Sequence, residues 1–185
     1  MKIGGPSVRP YQPEGLWAEL SGQKYEQSHG EGLYRRSLYT FWKRTAPPPT
    51  MVNFDAAARE ICIVRETRTN TPLQALDLMN DVQFVETARK LAERMMREGG
   101  ATPESRIAYG FRLVMARFPR DTEAARLAQA LNSFRDRLKT NPSTAEKLLE
   151  EGESPRDSLL AADDLAAYSM VASLILNLDE AVTNE

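Results

Sequence analysis

The single histidine, His29, and the single cysteine, Cys62, bound the acid–base and nucleophilic chemistry open to this sequence. His29 sits in the polar, flexible run Ser28-His29-Gly30-Glu31-Gly32, where an imidazole could act as a general base or as one metal ligand. It has no second histidine beside it and no carboxylate at ligand spacing on a shared element, so the pattern reads as an exposed loop histidine. Cys62 lies between Ile61 and Ile63, apolar neighbours that would raise its thiol pKa on burial, and reads as an inert core residue. A lone cysteine excludes an internal disulfide, a CxxC redox pair and a thiolate zinc site supplied by this chain alone. Gly30-x-Gly32 lacks the third glycine and the lysine of a nucleotide-binding loop. No catalytic residue, metal ligand or cofactor is therefore expected.

The richer constellation is basic and aromatic: Tyr34, Arg35, Arg36, Tyr39, Trp42, Lys43 and Arg44, followed by Arg65 and Arg68. Read as a helix, it puts Arg35 one turn from Tyr39 and two from Trp42, which permits cation–π stacking or a platform for a sugar or an anion. Arg35, Arg36, Tyr39, Trp42, Arg65 and Arg68 are the candidate ligand-binding residues on this reading. The competing reading, which the pattern favours, is structural: the aromatics pack inward and the guanidiniums bond loop carbonyls. Ser169, Ser173 and Asn177 recur at spacings of four and read as a close helix-packing stripe rather than a catalytic row. Asp163-Asp164 and Asp179-Glu180 read as solvated helix ends.

These residues must be positioned by two unlike stretches of chain. The whole has 185 residues and a net charge of −2, enough for one ordinary domain and without the positive field of a dedicated DNA binder. Residues 1–71 hold six of eleven prolines, six of ten glycines and both tryptophans, and read as a mostly irregular arm with one helix near 33–44. Ile61 to Val64 could be a short strand or an extended buried run. Through residue 72 the chain carries ten basic and seven acidic residues; from 73 on it carries fourteen and nineteen. The two parts can therefore attract, with Arg59, Arg65 and Arg68 docking on the acidic part.

From Thr71 the pattern is helical. Thr71-Pro72 with Gln74 is a capping box with proline at the first helical position. Helices are expected from about Asp81 to Arg97, from Thr102-Pro103 to Pro119, from Asp121 to Asn141, and briefly from Ser143. A last one, over about 159–181, is apolar nearly all round and so buried among the others. The expected fold is all-α: an irregular helical bundle, 72–185, with the long, mostly non-helical arm 1–71 packed on it as a single domain. The most apolar stretch, Leu165 to Leu178, is too short for a bilayer span. Met1-Lys2-Ile3 followed by Gly4-Gly5-Pro6 shows no apolar secretion-signal core.

The strings Gly4-Gly5-Pro6-Ser7-Val8-Arg9-Pro10-Tyr11-Gln12-Pro13, Leu33 to Arg44 and Arg68-Thr69-Asn70-Thr71-Pro72-Leu73-Gln74-Ala75-Leu76 resemble the planctomycete-specific domain of unknown function 1553. The resemblance continues through Asn80-Asp81 and Gln83-Phe84-Val85-Glu86 to Leu176-Asn177-Leu178-Asp179-Glu180. It implies the C-terminal module of larger, exported (extracytoplasmic) proteins, often with an upstream cytochrome-c-like domain whose haem binds elsewhere. The implied partners are upstream domains of the parent protein or a separate protein. It supplies no activity. Two positions depart from the expected pattern: Val82 stands where proline follows Asn-Asp, and Glu66 where a second basic residue often follows Arg65. Glu66 weakens a purely basic anion surface.

Overall fold

The computed structural model describes residues 3–57 and 69–183. Its backbone divides into two compact units, Met1–Gln74 and Ala75–Glu185. Among the described residues the regular structure is helical, with two isolated β-bridges and no strand, so the fold is all-α. Cys62, Arg59, Arg65, Glu66, Arg68 and the run Ile61–Val64 lie outside the described residues.

The first unit is irregular because glycine and proline punctuate it. Helix α1 (Leu16–Ser21) is bracketed by Gly15 and Gly22 at φ 81° and 63°, a left-handed backbone that glycine adopts without strain. Helix α2 (Pro49–Asn53) begins on a proline whose fixed φ suits the first helical position. The helix expected near 33–44 does not form. Two 3-10 turns, Gly30–Tyr34 and Ser37–Tyr39, flank extended backbone at Arg35 and Arg36. Thr40 then runs alongside the N-terminal segment: Val8 N–H donates to Tyr39 C=O and Phe41 N–H to Val8 C=O, both at 2.8 Å. This pairing satisfies the backbone that a helix would have satisfied, and it leaves Leu38 75% exposed. The spacing of Tyr34, Leu38 and Phe41 thus marks no helical face.

A polar knot closes this unit. Asp55 accepts from both the backbone N–H and the hydroxyl of Thr69, and Gln74 donates to Asn53 C=O at 2.8 Å. Gln74 also completes the expected capping box, accepting from Thr71 N–H while the Thr71 hydroxyl accepts from Gln74 N–H. It opens helix α3 (Pro72–Asn80).

The second unit is a bundle around one central helix. Helices α4 (Val82–Glu98), α5 (Pro103–Met115), α6 (Asp121–Thr140) and α7 (Pro142–Glu150) all pack against α8 (Ala162–Leu176), and a short α9 (Asp179–Val182) follows. Leu165, Tyr168, Val171 and Ile175 of α8 are fully buried, as a helix apolar on most of its circumference requires. The Ser169 hydroxyl donates to Leu165 C=O, and the Asn177 amide to Ala75 C=O, so the small polar stripe serves packing.

The boundaries depart from expectation where side chains stop the helices. Asp81 and Thr102 cap α4 and α5 as expected. α5 ends four residues short of Pro119 because Ala116 turns left-handed at φ 57°, which leaves Phe118 65% exposed. Arg120 rather than Asp121 occupies the cap of α6, with the Glu123 carboxylate accepting from its N–H at 2.7 Å. α7 starts at Pro142, preceded by Asn141. α8 covers 162–176 only, since Asn177 ends it, and Leu159 lies exposed before it. Asp164 and Glu180 are not simply solvated; they pair with Arg135 and Arg117.

Arg117 joins α9 to the turn before α6, donating to Glu123 at 2.9 Å and to Glu180 at 2.6 Å. Arg117, followed by the Arg120 N–H, holds the Glu123 carboxyl down to about 2, and Arg117 also lowers that of Glu180. Depressed carboxyl pKa values stabilise the folded state above the ordinary value of 4.5, and that contribution is lost as pH falls toward about 2. Hydrogen exchange of the α9 amides is therefore expected to lose protection across this acid window. Arg117→Ala should flatten the dependence; an unchanged profile would contradict the anchoring.

α4 carries a second set of charges. Arg89 and Glu86 have side chains only 2% and 3% exposed and pair with each other. Arg89 donates to Leu149 C=O and Ser154 C=O, while Glu86 accepts from Ser154 N–H. One turn on, Lys90 donates to Pro155 C=O, Glu93 accepts from Asp157 N–H, and Arg97 pairs with Asp157. The segment after α7 is thus clamped along one face of α4, with Gly152 at φ 83° against the Glu86 carboxylate.

Candidate functional site

In the first unit, pairing of Val8 with residues 39–41 brings Arg9, Phe41 and Lys43 onto Trp17. The Lys43 ammonium lies 4.6 Å from the indole centroid, the Arg9 guanidinium 5.8 Å from it and 5.1 Å from that of Phe41. Trp17 is buried, Tyr25 meets it edge-on at 5.0 Å, and the Tyr25 hydroxyl donates to Pro10 C=O at 2.6 Å. Burial pushes the Tyr25 hydroxyl pKa up to about 12, against a smaller opposing pull from Arg9. Beside these rings opens a cleft of about 340 Å³, walled by Gln12, Trp17, Gln23, Lys24, Tyr25 and Gln27.

Of the residues singled out by sequence, Arg35 and Tyr39 do meet. The Arg35 guanidinium lies 3.6 Å from the Tyr39 ring centroid and donates to the carbonyls of Gly4 and Pro6, while the Tyr39 hydroxyl accepts from Gly4 N–H. This knot ties down the glycine-rich start of the chain. Arg36 is exposed and Trp42 half-buried, and Arg65 and Arg68 are outside the described residues. His29 lies exposed at the first 3-10 turn. Sequence reasoning passed over Arg9, Trp17 and Tyr25, which are far apart in the chain; the available signal was the density of aromatics among prolines, which needs a mutual core.

α3 presents the reverse of an ordinary amphipathic helix. Gln74 and Leu78, one turn apart, are buried at 1% and 8%, whereas Leu73, Leu76 and Met79 are 50%, 53% and 51% exposed. At 100° per residue the three apolar side chains lie diametrically opposite the buried pair. The Asn177–Ala75 hydrogen bond holds α3 beside the end of α8, where Leu174 and Leu178 are also exposed. An apolar stripe thus faces solvent, of the kind that marks an interaction surface.

Among the described residues no group of three or more His, Cys, Asp or Glu side chains could hold a metal ion, and no helix is long and apolar enough to cross a membrane. A family model described as "PSD1: Protein of unknown function (DUF1553)" matches residues 1–131, a shorter span than the residue strings through Glu180 imply. No curated protein and no solved structure matches the chain.

Proposed function

The chain belongs to the PSD1 family of proteins of unknown function, and on that premise we propose that it is a noncatalytic helical interaction module at the C-terminal end of a larger, exported protein. Residues 1–185 act as one module whose partner is an upstream domain of the same polypeptide or a separate protein chain. The observation that carries this reading is the inverted face of α3, with Leu73, Leu76 and Met79 each about half exposed while Gln74 is buried. Each exposed side chain gains ~1–2 kcal/mol on burial, so three together make a stripe worth covering. The reading predicts that the chain enhances the fluorescence of 1-anilinonaphthalene-8-sulfonate. Combined Leu73→Glu, Leu76→Glu and Met79→Glu substitution is expected to remove most of that signal without changing far-UV circular dichroism. Dye binding that persists in the variant would contradict it.

A second reading gives Arg35, Arg36, Tyr39, Trp42, Arg65 and Arg68 to a site for an anionic or carbohydrate ligand completed by other domains. What favours it is the fixed Arg35–Tyr39 stack beside the exposed Arg36. It requires Arg36→Glu to abolish salt-dependent retention on a sulfated polysaccharide column.

A further inference from the structure

The cleft beside Trp17 and Tyr25 shares no lining residue with the α3 stripe or the Arg35–Tyr39 knot, and we infer that it is a binding site for a neutral saccharide of one or two rings. Its volume of about 340 Å³ lies at the lower end of the ~300–1,000 Å³ range of small-molecule sites. Three glutamines, Gln12, Gln23 and Gln27, line it. A glutamine amide carries both a donor and an acceptor, the complement of hydroxyls on adjacent sugar carbons, and Gln23, whose Oε1 accepts from Lys43 Nζ at 2.8 Å, contributes its N–H side. The Gln12 amide nitrogen is buried without a protein partner, which leaves a donor to be satisfied.

The aromatic wall is already rigid. Tyr25 is fixed by its hydrogen bond to Pro10 and by the edge-on contact with Trp17, so it presents apolar surface to the C–H face of a sugar with little ordering cost. Charge selects against ionic ligands. The lining holds one acid, Glu14, and one base, Lys24, while the Lys43 ammonium at its edge is engaged by the Trp17 ring and by Gln23 Oε1, 2.8 Å away, and the Arg9 guanidinium by the Trp17 and Phe41 rings. An anion could recruit Lys43 only by breaking those contacts, whereas a neutral ligand leaves them in place. The inference rests neither on the docking role of α3 nor on the arginine cluster, so it can fail while they stand.

The test is a titration of the whole chain with cellobiose, maltose and chitobiose, followed through the side-chain amide signals of its glutamines by ¹H–¹⁵N NMR. At least one disaccharide is expected to shift the Gln12, Gln23 and Gln27 signals saturably, while inorganic phosphate and glucuronate leave them in place. Gln12→Leu and Gln23→Leu, separately, are expected to weaken binding by about tenfold with the backbone spectrum retained. Leu38→Ala, at an exposed position outside the cleft, should bind as the parent does. The inference is overturned if none of the three sugars saturates the shifts, if phosphate or a proline-rich peptide shifts the same amides instead, or if both leucine variants bind undiminished.

Discussion

Arg89→Leu is expected to lower the unfolding free energy by ~3–5 kcal/mol, read from urea denaturation at neutral pH. The guanidinium is almost wholly buried and donates to Leu149 C=O, Ser154 C=O and Glu86 at once. Its removal leaves two carbonyls short of a donor and takes the Arg89 partner from the buried Glu86 carboxylate, which keeps the Ser154 N–H. Breaking a buried pair from one side costs more than the pair itself contributes, so the double variant Arg89→Leu, Glu86→Leu should be more stable than Arg89→Leu alone. A loss below about 1 kcal/mol in the single variant would mean that water reaches the pair and that the loop clamp is marginal.

The second large effect separates two phenylalanines that the sequence places on one helical face. Phe111 is fully buried in α5 under the Arg117 guanidinium, 4.9 Å from its ring centroid, whereas Phe118 lies beyond the end of α5 and is 65% exposed. Phe111→Ala should therefore cost ~3–5 kcal/mol through lost burial and the cavity left behind. Phe118→Ala should shift stability by no more than about 0.5 kcal/mol. Equal losses in thermal unfolding of the two variants would restore a helix running to Pro119 and contradict the turn at Ala116.

The contrast shows what local pattern could and could not reveal. Helix starts were legible where a side chain and a backbone donor a few residues away settle the matter, as at Thr71 with Gln74 and at Asp81. The burial of α8 was legible from apolar residues around most of its circumference. Helix ends that depend on a left-handed residue with no glycine, such as Ala116, leave no local signal. The segment 33–44 misled because its backbone is satisfied by Val8, more than thirty residues earlier in the chain. Buried Arg89 and Glu86 were hidden because charged residues on a helix normally face water, and only the returning loop at Ser154 makes burial tolerable.

Much the same holds for the candidate sites. The Arg35–Tyr39 contact was legible from their nearness in the chain, although the helical turn expected to bring them together does not form. Trp17, Tyr25 and the glutamines of the cleft converge from turns whose geometry is set by Gly15 and Gly22, beyond any periodic rule. For α3 only the start was legible, from its capping box; the inversion of its faces follows from Gln74, whose amide is drawn inward by Asn53 C=O and Thr71.

The docking role is tested most directly by calorimetric titration of this chain with the polypeptide encoded immediately upstream of Met1. Docking through α3 requires a saturable complex whose affinity falls at least about tenfold when Leu73, Leu76 and Met79 are changed together to glutamate. A titration without heat, or equal affinity for the parent and the triple variant, would contradict docking of α3 on the upstream polypeptide.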